Sequence, residues 1–133
     1  MICRIRFGQP TQVVDVVKEI QKGFTITDDE WHVIENLFES DRIEWADEAL
    51  FLEDLGTVVS LALICKLYPF IISYYTVPAL RGNGYGFQIL NACIARIREV
   101  HPDAPICIEP TNDSVLMHIS RLFVDRGMKF RVM

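Results

Sequence analysis

Residues 77–86 read Val77-Pro78-Ala79-Leu80-Arg81-Gly82-Asn83-Gly84-Tyr85-Gly86, and no other stretch restricts the fold as much. Before it, residues 70–77 are β-branched and aromatic, the composition of a buried strand. After it, Leu90, Cys93, Ile94 and Ile97 recur at helical spacing. The predicted order is strand, glycine turn, helix. Such an order aims the unpaired N–H groups of the first helical turn, and the positive end of the helix dipole, into the bend, where an anion can sit. Gly82, Gly84 and Gly86 let the main chain come close to that anion. Two common phosphate loops are excluded by spacing. A dinucleotide fingerprint needs glycine where Phe87 stands, and a P-loop needs Lys-Ser or Lys-Thr after its last glycine.

From the start of the chain, residues 1–7 alternate as a first strand would, and Gly8 and Pro10 end it. A helix follows, with Val13, Val14, Val17, Ile20 and Phe24 as its apolar stripe and Lys22-Gly23 at its close. Thr27-Asp28-Asp29-Glu30 spells a capping box with Ile26 and Trp31 as its staple, so a second helix starts there and buries Trp31, Ile34 and Phe38. Residues 44–49 fit either a loop or a helical extension around Trp45. Strands over residues 49–53 and 57–67 meet at a Leu55-Gly56 turn, and Pro69 separates them from the strand that leads into the glycines. Beyond the long helix, residues 106–109 form a short strand stopped by Pro110. Val115, Ile119, Leu122 and Phe123 mark a last helix, Gly127 ends it, and residues 128–133 form the final strand. The order β-α-α-β-β-β-α-β-α-β is a mixed α/β fold, and 133 residues at 50% hydrophobic fit one domain over residues 1–133.

Composition narrows the function. The apolar runs on either side of Lys66 fall short of the ~20 residues of a membrane span, and no leader pattern opens the chain, so a cytoplasmic protein is expected. Cys3, Cys65, Cys93 and Cys107 lack the pairing of a zinc or redox site and read as small core residues. His32, His101 and His118 are too dispersed for a metal cluster, and His32 and His118 read as solvated. The net charge of −5 is uneven: residues 28–54 hold eleven acids and one base, Arg42, while the remainder holds seven acids and twelve bases. That acidic segment argues against nucleic acid, and it fits either a cationic partner or a plain solvated helix face.

The glycine stretch resembles motif A of the GNAT superfamily of N-acetyltransferases, in which Arg or Gln is followed after two residues by Gly, one residue, then Gly or Ala. Arg81, Gly84 and Gly86 fill that pattern, and Val77-Pro78 before it and the helix beginning near Phe87 match its surroundings. The element order coincides with the family's over nearly the whole chain. The family usually adds a seventh strand, so here either the sheet is one strand short or a neighbouring chain covers the free edge, as in a homodimer.

The resemblance implies acetyl-CoA as acyl donor, lying between the strand that ends at Val77 and the strand around Ile108. Its pantetheine arm would pair with backbone groups of Thr76 and Val77. The N–H groups of Gly82, Asn83, Gly84, Tyr85, Gly86 and Phe87 would hold the pyrophosphate, while Arg81 would fix the turn or add its charge. Asn112 stands near the family's usual asparagine and equally suits a helix cap. The backbone N–H of Val77 would be the oxyanion donor. Glu109 is the first candidate for general base and Glu53 the second, although either suits a plain surface acid. Where the family commonly carries a tyrosine acid this chain has Phe123, so the thiolate would take its proton from water, Ser120, Tyr74 or Tyr75. The expected function is acetyl transfer by direct attack of the primary amine of a cationic acceptor, such as a lysine side chain, a protein N-terminus, a polyamine or an aminoglycoside. The alternative is a non-catalytic protein that keeps the fold within a larger assembly.

Overall fold

A computed structural model describes residues 3–54, 56–77, 80–109, 113–125, 127 and 129–132. Strand β1 (Cys3–Gly8) leads through a short turn (Pro10–Gln12) into α1 (Val13–Gly23), α2 (Asp28–Leu37) and the six-residue α3 (Ser40–Trp45). Then come β2 (Glu48–Asp54), β3 (Thr57–Cys65), β4 (Phe70–Thr76), α4 (Tyr85–Arg98), β5 (Ile106–Ile108), α5 (Asp113–Asp125) and β6 (Phe130–Val132). Of residues 44–49, which the sequence left open, Glu44 and Trp45 close α3, residues 46–47 form the link, and Glu48 and Ala49 already belong to β2. The six strands form one mixed sheet in chain order, antiparallel from β1 to β4 and parallel from β4 to β6. This is the predicted mixed α/β class.

Helices cover both faces of the sheet, so its inner strands carry apolar residues at nearly every position. In β2, Ala49 and Phe51 pack toward α1 and α2, while Leu50 and Leu52 pack toward α4 and α5. Helix α1 buries Val13, Val16, Val17 and Ile20, the i, i+3, i+4, i+7 set, and Val14 is 47% exposed. The expected stripe had Val14 in place of Val16. With the helix starting at Val13, 100° per residue turns position 14 away from the sheet. Helix α2 is held by Ile34, which is 2% exposed, and truncating it to alanine would cost about 2–5 kcal/mol. Its start is as expected: Thr27 Oγ1 accepts the Glu30 N–H at 3.3 Å. All four cysteines are free, with Cys65 and Cys93 buried and Cys3 and Cys107 half-buried. Among the described residues no helix is long and apolar enough to cross a membrane.

One irregularity shapes the middle of the sheet. Ser73 pairs with Leu63 and Ile71 with Ile64, so Ile72 is an extra residue in β4, a β-bulge. A bulge bends its strand and sharpens the twist. β4 and β5 pair at Phe70 with Cys107 and at Ile71 with Ile108. β5 ends there while β4 runs on to Thr76, so the edge of β4 on that side has no partner strand among the described residues and borders a cleft.

Candidate functional site

The glycine turn crowns β4 at the mouth of this cleft. Gly82 and Gly84 have φ of 87° and 83°, the left-handed region in which a side chain is strained, and a Cβ on either would meet nothing within 4 Å. The ground in front of the turn is open. Gly84 is the N-cap of α4, and the first intrahelical bond runs from the Gln88 N–H to the Gly84 carbonyl at 3.1 Å. Helix geometry leaves the amides of Tyr85 and Gly86 without an i−4 acceptor, facing the bend. The turn is held by its own groups, one side chain and one main-chain amide. Asn83 Nδ2 donates to the Leu80 carbonyl at 2.9 Å, and the Leu80 N–H donates to the Val77 carbonyl at 2.9 Å.

Arg81 fixes the turn from outside. Its Nε donates to the Thr76 carbonyl at 3.1 Å, its guanidinium lies over the Tyr75 ring at 5.5 Å, and it meets Glu30 of α2 at 3.5 Å. Glu30 also accepts from the Tyr75 hydroxyl at 3.3 Å, so α2, β4 and the turn share one small polar network. Burial, and then the Glu30 charge, push the Tyr75 phenol well above its ordinary pKa. The Tyr85 side chain points away from the cleft and donates to Asp54 at the end of β2.

Along β4 the backbone groups alternate between its two neighbours. The Val77 N–H donates to the Val59 carbonyl at 3.0 Å, and the Tyr75 carbonyl accepts from Ser60 Oγ at 2.7 Å, so residues 75 and 77 face β3. Val77 is thus turned from the cleft, and the oxyanion role expected of its amide does not fit this register. Alternation directs the amides of Tyr74 and Thr76 to the β5 side instead. A single step along a strand reverses the direction, which is why a reading from the sequence is apt to land one residue off.

On the opposite lip Glu109 leaves the end of β5, but it is not alone. Arg42 of α3 grips it with two bonds, Nη1 to Oε2 at 2.9 Å and Nη2 to Oε1 at 3.3 Å. The hydrogen bond to Glu109 holds the Arg42 pKa above its ordinary value. The pair spans a cavity of about 270 Å³. From β4 the cavity takes Phe70 and Ile72, the bulged residue itself. Asp41 and Trp45 of α3 and Glu39 just before it complete the wall. Of these, Glu109 was a named candidate from the sequence, and Glu39 and Asp41 belong to the acidic segment expected to meet a cationic partner, whereas Arg42, Trp45, Phe70 and Ile72 were not singled out. The signal that could have found Arg42 is that it stands as the only base among the eleven acids of residues 28–54.

The remaining candidates are scattered. Ser120 spends its hydroxyl hydrogen on the Leu116 carbonyl, one turn back on α5, at 2.7 Å. Glu53 pairs with Arg6 across β1 and β2 at 2.8 Å, two strands from the cleft. Phe123 is fully buried and packs on Phe130 with ring centroids 5.2 Å apart. Tyr74 packs against the α4 and α5 side of the core, and burial pushes its phenol up to about 12. Asn112 and the His118 side chain lie outside the described part of the structure. The acidic segment also divides. Glu39 and Asp41 line the cavity, whereas Glu48, Glu53 and Asp54 are committed to Arg96, Arg6 and Tyr85. Among the described residues no three His, Cys, Asp or Glu side chains gather as a metal site would need.

The sequence profile described as the Acetyltransferase (GNAT) family matches residues 14–116, more than three quarters of the chain. The chain belongs to the GNAT acetyltransferase family. Solved structures similar to this GNAT domain include a ribosomal-protein-alanine N-acetyltransferase from Brucella melitensis biovar Abortus 2308, with a TM-score of 0.60 and 12% identity over 92% of this chain and 91% of that one. A second is AAC(6')-Iy, an aminoglycoside N-acetyltransferase, in complex with a CoA-S-monomethyl-acetylneamine bisubstrate analogue, with a TM-score of 0.57 and 12% identity over 100% and 96% of the two chains. A third is an acetyltransferase from Clostridium acetobutylicum with acetyl-CoA, with a TM-score of 0.54 and 16% identity over 89% and 88%. At such identities the likeness is one of fold. No curated protein sequence matches the chain. GNAT enzymes draw their acetyl group from acetyl-CoA and need no metal. The glycine turn of this GNAT domain leaves open ground in front of the Tyr85 and Gly86 amides, the kind of donors an anion takes at a helix N-terminus.

Proposed function

We propose that the chain is an acetyl-CoA-dependent N-acetyltransferase that passes acetyl to the primary amine of a cationic acceptor by direct attack. The observation that carries this reading is the free edge of β4 beyond Ile71, which runs on into a helix N-terminus whose turn is made by two left-handed glycines. Bound there, acetyl-CoA supplies an acetyl thioester. The amides from Gly82 to Phe87 hold the diphosphate, and Arg81 keeps the turn in shape through Thr76 and Glu30. Thr76 offers its N–H to the cleft, where it stabilises the negative charge that grows on the carbonyl oxygen during attack. Glu109 takes the proton the ammonium must lose. Tyr74, a neutral phenol on the α4 and α5 side of β4, is a donor for the departing sulfur, and water or Ser120 are the other sources. Several solved relatives of the fold are aminoglycoside acetyltransferases, and with Glu39 and Asp41 lining the cavity they favour a cationic acceptor. A cytoplasmic location goes with this reading.

The test is in two steps. Acetyl-CoA at millimolar concentration should raise the melting temperature, since a ligand at 100 times its dissociation constant adds about 2.7 kcal/mol. Release of free thiol with a panel of amines should then follow, faster for cationic amines than for neutral ones and slower in added salt. Stabilisation without thiol release favours the second reading, a GNAT-fold protein that binds but does not transfer, for which the packed Phe123 is the specific observation. No stabilisation at all would overturn both.

A further inference from the structure

The bidentate pair of Arg42 and Glu109 bridges two parts of the chain that otherwise border an open cavity. Its geometry is good on one side only. Glu109 has each oxygen engaged, at 2.9 and 3.3 Å, but the Nε of Arg42 is buried without a hydrogen-bond partner, the nearest carboxylate oxygen, Glu39 Oε1, being 3.7 Å away. A guanidinium settled for good in this place would be expected to use that donor. The pair is also wet, with side chains 27% and 44% exposed, so separating it costs little. Around it stand Glu39 and Asp41, and Trp45 leaves 73% of its surface uncovered at the cavity wall. With Arg42 swung aside, three carboxylates, an indole face and the apolar side chains of Phe70 and Ile72 would line the space. That set suits a cation on an aliphatic stem.

We propose that Arg42 is an internal stand-in for the acceptor: its guanidinium occupies the place on Glu109 that the substrate's ammonium takes, and the acceptor enters by displacing it. This rests on the acetyltransferase reading above and adds to it a substrate class and a selection device. The acceptor is a primary ammonium on an apolar stem of several methylenes, with a second cationic group that the Glu39 and Asp41 carboxylates can meet. Neutral and anionic amines leave Arg42 in place. Once displaced, Arg42 exposes the Glu109 carboxylate to the ammonium, which gives up one proton to it, so that one N–H bond breaks and one O–H bond forms and both groups end neutral. The base is covered until a molecule of the right charge uncovers it.

The experiment reads binding without turnover. 1,5-Diaminopentane is titrated into the full chain while Trp45 emission is followed, with Trp45→Phe identifying the signal against Trp31. Arg42→Ala should bind the diamine about fivefold more tightly than the parent chain, which is near the most that so exposed a pair can return. Arg4→Ala removes the same charge from an exposed position on β1 and should bind like the parent. Adding Glu109→Gln to Arg42→Ala should abolish the gain. Unchanged or weaker binding in Arg42→Ala, an equal gain in Arg4→Ala, or a gain that survives Glu109→Gln would each overturn the proposal and leave the pair as a structural staple. Arg42→Gln keeps the stem and gives the same comparison if the alanine variant does not fold. The acetyl-CoA melting shift, measured on the same samples, reports on the acetyltransferase reading separately and should be the same in all of them.

Discussion

The hydroxyl of Tyr85, the first residue of α4, donates to a carboxylate oxygen of Asp54, the last residue of β2. The contact ties the start of the helix behind the glycine turn to the far side of the sheet. Asp54 is 7% exposed and its other oxygen, Oδ1, has no hydrogen-bond partner, so the tyrosine is its visible support. The same bond, followed by burial, raises the Tyr85 pKa. Tyr85→Phe should therefore destabilise the fold by leaving a buried acceptor unmet. Urea unfolding at pH 7 should show a lower midpoint. An unchanged midpoint would show that solvent already satisfies Asp54.

Gly84 and Gly86 should separate folding from ligand binding. At Gly84, φ of 83° makes alanine strained by about 1–2 kcal/mol, so Gly84→Ala should lower both stability and acetyl-CoA affinity. Gly86 is helical, and a Cβ there would reach only Thr76 Oγ1 at 3.8 Å, an ordinary contact. Gly86→Ala should fold as well as the parent or slightly better, since alanine favours helix by up to about 1 kcal/mol over glycine. Its methyl group would nevertheless stand where the main chain approaches the diphosphate, and the acetyl-CoA melting shift should shrink. A full shift in this variant would put the diphosphate elsewhere.

Stability should fall on the acid side through Glu48. Burial opposes its charge, but hydrogen bonds from Arg96 and then Lys66 outweigh that and hold its pKa below the ordinary 4.5. A carboxyl with a lowered folded pKa binds fewer protons folded than unfolded. Its contribution is complete above about pH 4.5 and is lost as the pH drops through the folded value. Lys66→Met removes the 3.1 Å bond to Oε2 while Arg96 stays. It should cost on the order of 1 kcal/mol at pH 7 and flatten the loss below pH 4.5, as urea midpoints between pH 3 and 7 would record.

A tyrosine at position 123 should not supply an acid. Phe123 is fully buried against Phe130, so Phe123→Tyr would bring a hydroxyl into an apolar layer at a cost of about 1–3 kcal/mol. Thiol release should not rise. A variant that is as stable as the parent and faster would mean that the ring edge reaches the cleft.

How far these features were legible from residues alone depends on how local their causes are. The start of α2 was visible because Thr27 and Glu30 act across three residues, and the strand, turn and helix around Gly84 because glycine spacing and apolar periodicity are written side by side. Helix phase was nearly visible, with Val14 and Val16 exchanged by one step. What distant segments do to one another was not. Nothing near Val77 says that its amide will meet Val59, and nothing near Glu109 announces Arg42, which lies 67 positions away. Both are set by register and docking, and they decide which groups face the cleft.

Ile72 carries a last consequence. One surplus residue in β4 breaks the strict alternation of the strand, and the side chain of that residue becomes part of the cavity wall. Without it, alternation would run unbroken from Phe70 to Thr76, and the residues on its two sides could not keep their present facings together. Which amides look toward β3 and which toward β5 is thus decided by a miscount between neighbouring strands.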